Sequence, residues 1–193
     1  QLHIAETEKY AHVTYFFNGG EDKPFPKEDW QLVPSPKVKT YNLTPHMSAQ
    51  AIATQVIKSI NESKYDFYII NLANADMVGH TGNLEAAVQA VTFTDHCLGV
   101  IAKKVVEKNG TLLICADHGN AEQMVNPATG QADTEHTTNP VPFIITRKDL
   151  DKQKHKLIEG RLCDISPTLL YLANLNIPEE MTSSNVLFRE MIQ

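Results

Sequence analysis

The chain has 193 residues and no apolar run approaching the ~18 residues that a membrane-spanning helix needs, so no membrane partner is expected. Arginine is scarce: three of the 17 basic residues are Arg, the formal net charge is −6, and no basic cluster stands out. Nucleic-acid binders present a basic face, so a nucleic-acid partner is not expected either. Cysteine is also scarce. Cys97, Cys115 and Cys163 are far apart, odd in number and form no C-x-x-C pair. They read as buried, reduced thiols in a cytoplasmic protein and not as a disulfide framework. There is no internal repeat, no low-complexity tract and no charged-then-apolar leader. The first residue is Gln1, and positions 1–20 already read as the interior of a domain, so the chain is expected to be a piece of something longer. What remains is ordinary for one globular domain: 42% apolar and 21% charged residues.

Hydrophobic patterning divides the chain into alternating elements. Ala11–Phe17 is β-branched and aromatic and is expected to be a strand closed by Asn18-Gly19-Gly20. Residues 21–45 hold five of the ten prolines and read as an ordered excursion, with a short edge strand over Lys37–Leu43. Ile52, Val56 and Ile60 recur at helical spacing behind Ser48, which predicts a helix over 48–61 with Ser48 as its cap. Apolar runs at Phe67–Ala73, Thr111–Ala116 and Val141–Thr146 have strand length. Leu84–Lys108 reads as a long helix stopped by Asn109-Gly110, and Ser166-Pro167 as the start of a last helix. Such alternation predicts an α/β fold with a mostly parallel sheet flanked by helices on both faces.

In parallel α/β sheets, ligands gather at the carboxyl ends of the strands. Three segments beside the expected strands carry acids and histidines in turn-prone sequence. They are Asn74–Gly82 with Asp76 and His80, Asp117-His118-Gly119-Asn120, and Thr134–Pro140 with His136. Taken singly, each residue has a plain structural explanation: Asp117 as a turn cap, His80 and His136 as solvated loop side chains. Taken together, two carboxylates and three imidazoles make a mixed oxygen and nitrogen set. That set suits Mn²⁺ or Zn²⁺ better than Ca²⁺, and five donors exceed the needs of one structural zinc. His3, His12, His46, His96 and His155 read as packing or surface residues. Lys9 reads either as an exposed lysine or as a phosphate partner.

The runs Ala5-Glu6-Thr7-Glu8-Lys9-Tyr10, His12–Gly20, Asn74–Gly82, Ala116–Glu122, His136–Pro142 and Asp164–Thr168 resemble, in order and across nearly the whole chain, the cofactor-independent (2,3-bisphosphoglycerate-independent) phosphoglycerate mutases of the alkaline phosphatase superfamily. The resemblance implies an alkaline-phosphatase-like α/β domain and two Mn²⁺ ions, with Mg²⁺, Co²⁺ or Zn²⁺ as other candidates. It implies interconversion of 3-phosphoglycerate and 2-phosphoglycerate through a phosphoserine, in glycolysis and gluconeogenesis. It places Asp76, His80 and His136 on one metal, Asp117 and His118 on the second, and Lys9 on the transferring phosphoryl group. In that family the nucleophilic serine segment and an inserted, arginine-rich substrate domain come earlier in the chain. None of the serines here sits in a matching segment. The expectation is therefore that residues 1–193 are the C-terminal portion of the phosphatase domain, incomplete and inactive alone. The partner implied is the missing N-terminal part. Two alternatives stand beside this one: another phosphomutase or phosphatase of the superfamily, and a non-catalytic metal-binding module.

Overall fold

Leu2-His3-Ile4-Ala5-Glu6 is the first strand, β1 (Leu2–Glu6), and all five of its side chains are buried. The computed structural model describes residues 1–151, 154–181 and 187–190. They fall into two units: Gln1–Lys104 with His118–Pro140, and Val105–Asp117 with Val141–Gln193.

In the first unit the chain leaves β1 through a 3₁₀ turn, Thr7–Lys9, into the short helix α1 (Tyr10–Val13). Strand β2 (Asp29–Val33) follows, then helix α2 (Ala49–Asn61), strand β3 (Tyr68–Ile70), helix α3 (Asn74–Gly79) and the long helix α4 (Leu84–Glu107). The sheet order is β2-β1-β3, and both pairings are parallel, with Leu2 opposite Asp29 and Tyr68, and Ile4 opposite Gln31 and Ile70. A central parallel strand has no solvated face, which is why β1 is buried throughout. Helices α1 and α2 pack on β1, and α2 buries Ile52, Ala53 and Val56 completely. The expected face of α2 is thus the observed one. A second apolar cluster joins Val78 to Ala86, Ala87 and Ala90 of α4 and to Met124.

The second unit contains β4 (Leu112–Cys115) and β5 (Phe143–Thr146), paired antiparallel, and then β6 (His155–Leu157), helix α5 (Ile165–Leu172) and β7 (Phe188–Glu190). Strands β6 and β7 also pair antiparallel. Helix α4 ends as expected: Asn109 takes a left-handed conformation (φ 57°) and the Gly110 amide returns to the Val105 carbonyl at 2.8 Å. Among the described residues no helix is long and apolar enough to cross a membrane.

The α/β class holds, but several elements differ from the sequence expectation. The expected strand over Ala11–Phe17 is helix α1 followed by turns, and the strand lies earlier, at Leu2–Glu6. Aromatic content misled here, because Tyr15, Phe16 and Phe17 lie in turns with their side chains largely exposed. The edge strand lies at Asp29–Val33 instead of Lys37–Leu43. Antiparallel pairing of β4 with β5 was not anticipated, since apolar strands of that length carry no signal of direction. Ser48 stands at the start of α2 but does not cap it. Its hydroxyl donates to the Pro34 carbonyl (2.7 Å), while its amide donates to the Glu6 carboxylate (3.3 Å). Asp164, not Ser166, anchors the start of α5: it is buried and accepts from the Arg161 amide at 2.7 Å. Of the three free cysteines, Cys97 is buried, whereas Cys115 and Cys163 are exposed.

Ile52 carries the α2–sheet contact with no exposure at all. Ile52→Ala is expected to lower the unfolding free energy by about 2–5 kcal/mol in urea denaturation, the range for deleting a fully buried aliphatic side chain. A loss below about 1 kcal/mol would show that α2 is not packed there.

Candidate metal centre

The parallel topology places two chain exits side by side. The turn after β1 ends in Lys9, and α3, four residues past β3, carries Asp76 in its first turn and His80 just beyond its last residue. A helical spacing of four puts Asp76 and His80 on one face, and His80 Nε2 lies 3.1 Å from Asp76 Oδ1. The other oxygen of the same carboxylate, Oδ2, meets the Lys9 ammonium at 2.7 Å. Both partners are largely buried, with 9% and 15% of their side chains exposed. Lys9 is therefore an ion-paired lysine inside the unit and not a surface charge.

The loop after β4 and the segment before β5 supply the remaining imidazoles. His136 Nε2 is 3.2 Å from Asp76 Oδ1 and 3.0 Å from His80 Nε2, and His118 Nε2 is 3.8 Å from Asp76 Oδ1. The His118 and His136 rings stack at 3.7 Å. Among the described residues one group of three has donor atoms all within 4.8 Å of one another: Asp76, His80 and His136. Asp117 lies in the second unit, two residues after the end of β4.

Two features prepare these groups to hold a cation. First, His80 Nδ1 lies 2.6 Å from the Thr134 carbonyl, which can only accept, so Nδ1 donates there and Nε2 is the ring nitrogen turned to the cluster. His118 Nδ1 stands in the same relation to the Gly119 carbonyl, at 3.3 Å. Second, Asp76 stays ionised. Burial pushes its carboxyl up, but the hydrogen bond and charge of Lys9, with His80 and His118 adding, outweigh that and hold it below its ordinary value. One carboxylate and two imidazoles whose donor atoms lie within 4.8 Å of one another fit a borderline divalent ion such as Mn²⁺, Co²⁺ or Zn²⁺. His80 and His136 are exposed, so the cluster is open on one side.

Close backbone approach holds the loops together. A Cβ at Gly79 would lie 1.7 Å from Asn120 Oδ1, and one at Gly119 would lie 2.2 Å from Thr137 Oγ1 and 2.4 Å from Glu122 Oε1. Asn120 Nδ2 donates to the Glu135 carbonyl at 3.4 Å. The Glu122 carboxylate accepts from Thr137 Oγ1, from Asn139 Nδ2 (2.9 Å) and from the Asn120 amide (2.6 Å). The Thr137 hydroxyl foremost holds the Glu122 carboxyl down at about 2; desolvation pushes the other way, and Asn139 and nearby backbone amides add to the lowering. Asn120, Glu122 and the Thr134 carbonyl were not among the residues expected from sequence. A backbone carbonyl leaves no trace in a side-chain pattern, and Asn120 and Glu122 fall inside the segments singled out from sequence without a role being assigned to them.

A parallel α/β sheet whose strand exits bring together a carboxylate, a largely buried lysine and the His80 imidazole, with His118 and His136 beside them, is the arrangement of a metal-binding enzyme scaffold. The model of the metalloenzyme superfamily matches residues 1–177, and the chain belongs to that superfamily. Within it, the chain is 52% identical over 187 residues to the 2,3-bisphosphoglycerate-independent phosphoglycerate mutase of Clostridium beijerinckii and 54% identical to that of Clostridium perfringens strain SM101. Each alignment covers 97% of this chain and 36% of the relative. The chain thus spans about a third of the length of the curated relatives it matches. A crystal structure of Leishmania mexicana phosphoglycerate mutase at low cobalt concentration superposes with a TM-score of 0.87 at 30% identity, over 98% of this chain and 37% of that one.

Two outcomes follow from these contacts. Gly79→Ala should displace Asn120 and destabilise the protein by about 1–3 kcal/mol in thermal or urea unfolding, as overpacking does; unchanged stability would mean that the loop yields freely. Glu122 titrates lower in the folded chain (about 2) than its ordinary 4.5. Its stabilisation is therefore fully present above about pH 4.5 and is lost as pH falls from there toward 2. Urea unfolding of the metal-free chain between pH 7 and 3 should show this loss, and Glu122→Gln should flatten it.

Proposed function

We propose that the chain is the C-terminal, metal-binding portion of the phosphatase domain of a phosphoglycerate mutase that works without 2,3-bisphosphoglycerate. The carrying observation is the shared carboxylate of Asp76, which takes the Lys9 ammonium on one oxygen and lies beside three imidazoles on the other. Its substrates are 3-phosphoglycerate and 2-phosphoglycerate, and the setting is cytoplasmic glycolysis and gluconeogenesis. The identity to named mutases, over nearly the whole chain, supports the assignment.

The residues of this chain have definable parts in that reaction. Asp76, His80 and His136 would hold one divalent ion; His118, with Asp117, belongs to a second set. Mn²⁺ is the proposed ion, and Co²⁺, Zn²⁺ and Mg²⁺ are alternatives. When bound, such an ion supplies Lewis-acid charge to phosphoryl oxygens and favours an ionised nucleophile. Lys9 is held by Asp76 beside the cluster, where its fixed positive charge offsets the negative charge of a transferring phosphoryl group. The backbone carbonyl of Thr134 keeps His80 in the tautomer that leaves Nε2 free. The reaction proceeds by transfer of the phosphoryl group from one glycerate hydroxyl to a serine, with the C–O–P ester broken and a phosphoserine formed. The other hydroxyl then takes the group back. The serine and the arginine-rich substrate clamp are assigned to the part of the enzyme outside this chain.

The test is conversion of 3-phosphoglycerate to 2-phosphoglycerate by the complete protein that carries this segment, with Mn²⁺ and without 2,3-bisphosphoglycerate. Turnover should vanish with a chelator, and His136→Ala should reduce it by roughly 100-fold or more, the scale of several kcal/mol expected for loss of metal-borne charge stabilisation. The 193-residue chain alone should show no turnover. Full activity in His136→Ala, or activity only on other phosphate esters, would overturn the assignment.

A further inference from the structure

Glu122 is exposed, touches none of the proposed ligands, and yet gathers three donors from two separate loops. Its Oε2 accepts from the Asn120 amide, two residues after His118. Its Oε1 accepts from the Thr137 hydroxyl, one residue after His136, and from Asn139. The Thr137 amide in turn donates to the Gly119 carbonyl at 2.8 Å, closing an isolated bridge between the loops. Gly119 leaves open the space that the carboxylate occupies, since a Cβ there would lie 2.4 Å from Glu122 Oε1.

We infer that Glu122 is a positioning residue: its carboxylate clamps the His118 loop to the His136 segment and so sets the geometry, and hence the affinity, of the proposed metal cluster. This rests on the metal reading above. His118 is two residues and His136 one residue from a group that Glu122 holds, so a shift at Glu122 reaches both rings through short, hydrogen-bonded backbone. A carboxylate suits this place better than its isosteric amide. All three partners donate, and an amide nitrogen turned toward the Asn120 or Asn139 N–H would set donor against donor. Accepting from three donors is what keeps this carboxyl ionised far below its ordinary range. Residues that act on ligands from outside in this way commonly change metal affinity by about 10- to 100-fold when removed.

The 193-residue chain is titrated with Co²⁺, whose visible absorption reports both occupancy and coordination geometry, as wild type and as Glu122→Gln, Thr137→Val with Asn139→Ala, and Asp76→Asn. Circular dichroism confirms that each is folded. Glu122→Gln is expected to weaken Co²⁺ binding by about 10- to 100-fold and to alter the absorption bands, a change of coordination geometry that the accompanying loss of metal-free stability at pH 7 would not by itself produce. The Thr137/Asn139 variant removes the donors and leaves the carboxylate. It should move affinity in the same direction, and it stands in should Glu122→Gln fail to fold. If wild type binds and Asp76→Asn does not, but the Glu122 and Thr137/Asn139 variants keep wild-type affinity and spectrum, the clamp is wrong and the metal reading stands. If wild type fails to bind Co²⁺, or Asp76→Asn binds equally well, the metal reading falls and the clamp with it.

Discussion

The Asp76 carboxylate is the group on which the arrangement turns. With Lys9 at 2.7 Å, the gross attraction is about 6 kcal/mol at an effective dielectric of about 20. Taking both charges out of water costs several kcal/mol apiece, so the pair by itself adds little net stability. What it does is fix positions. A buried carboxylate with one oxygen committed to an ammonium leaves the other oxygen at a definite place, and that is the oxygen beside which His80, His136 and His118 converge. Removing either charge would strand the other, at about 3–5 kcal/mol.

The fold can be read as the means of bringing Lys9 and Asp76 together. They are 67 positions apart in sequence, but β1 and β3 are parallel neighbours, so their carboxyl ends open on the same edge. Parallel pairing requires a crossover, and the β1-to-β3 connection supplies it through α1, β2 and α2. Burial of Ile52, Ala53 and Val56 against the sheet holds that crossover down. Glu6, buried at the end of β1, ties the exit of the strand to the start of α2 by accepting from the Ser48 amide and the Ser35 hydroxyl (2.9 Å). Its carboxyl is pushed up by burial, partly offset by those donors. The turn that presents Lys9 thus begins from an anchored residue.

Much of this was legible in the sequence, and what was not has specific causes. The i, i+4, i+8 apolar spacing of α2 and the Asn-Gly stop of α4 are strong local signals, and both elements lie where expected within a residue or two. The convergence of Asp76, His80, His118 and His136 followed from acids and histidines clustered beside apolar strands. The first strand was misplaced because Ala11–Phe17 is richer in strand-forming residues than Leu2–Glu6. Burial of β1 comes from its two neighbours, which no local pattern reveals. His3 shows the same limit. Its neighbours in sequence left packing and surface readings both open, and it is wholly buried in the central strand, with Nδ1 2.5 Å from the Val13 carbonyl. Ser48 had the identity and position of a cap, but longer-range acceptors took its hydroxyl.

Exposure within the cluster bears on what kind of site this is. A structural metal site closes four protein donors around the ion and is shut off from water. Here three donors gather in one group, two of them on exposed imidazoles, while the carboxylate and the lysine behind it are buried. The charge is fixed on the inner side and the open positions face outward. A purely structural staple would gain nothing from Lys9, because an ammonium beside the ligating carboxylate competes with a cation for the same negative charge. That competition lowers affinity unless the positive charge has a second use. An anionic group approaching from the open side would meet a bound cation, with the positive charge of Lys9 adding to the attraction from behind the carboxylate. The cost of placing a cation site beside a buried lysine is therefore best understood as serving an anion, which is why phosphoryl chemistry fits this geometry better than a scaffold role.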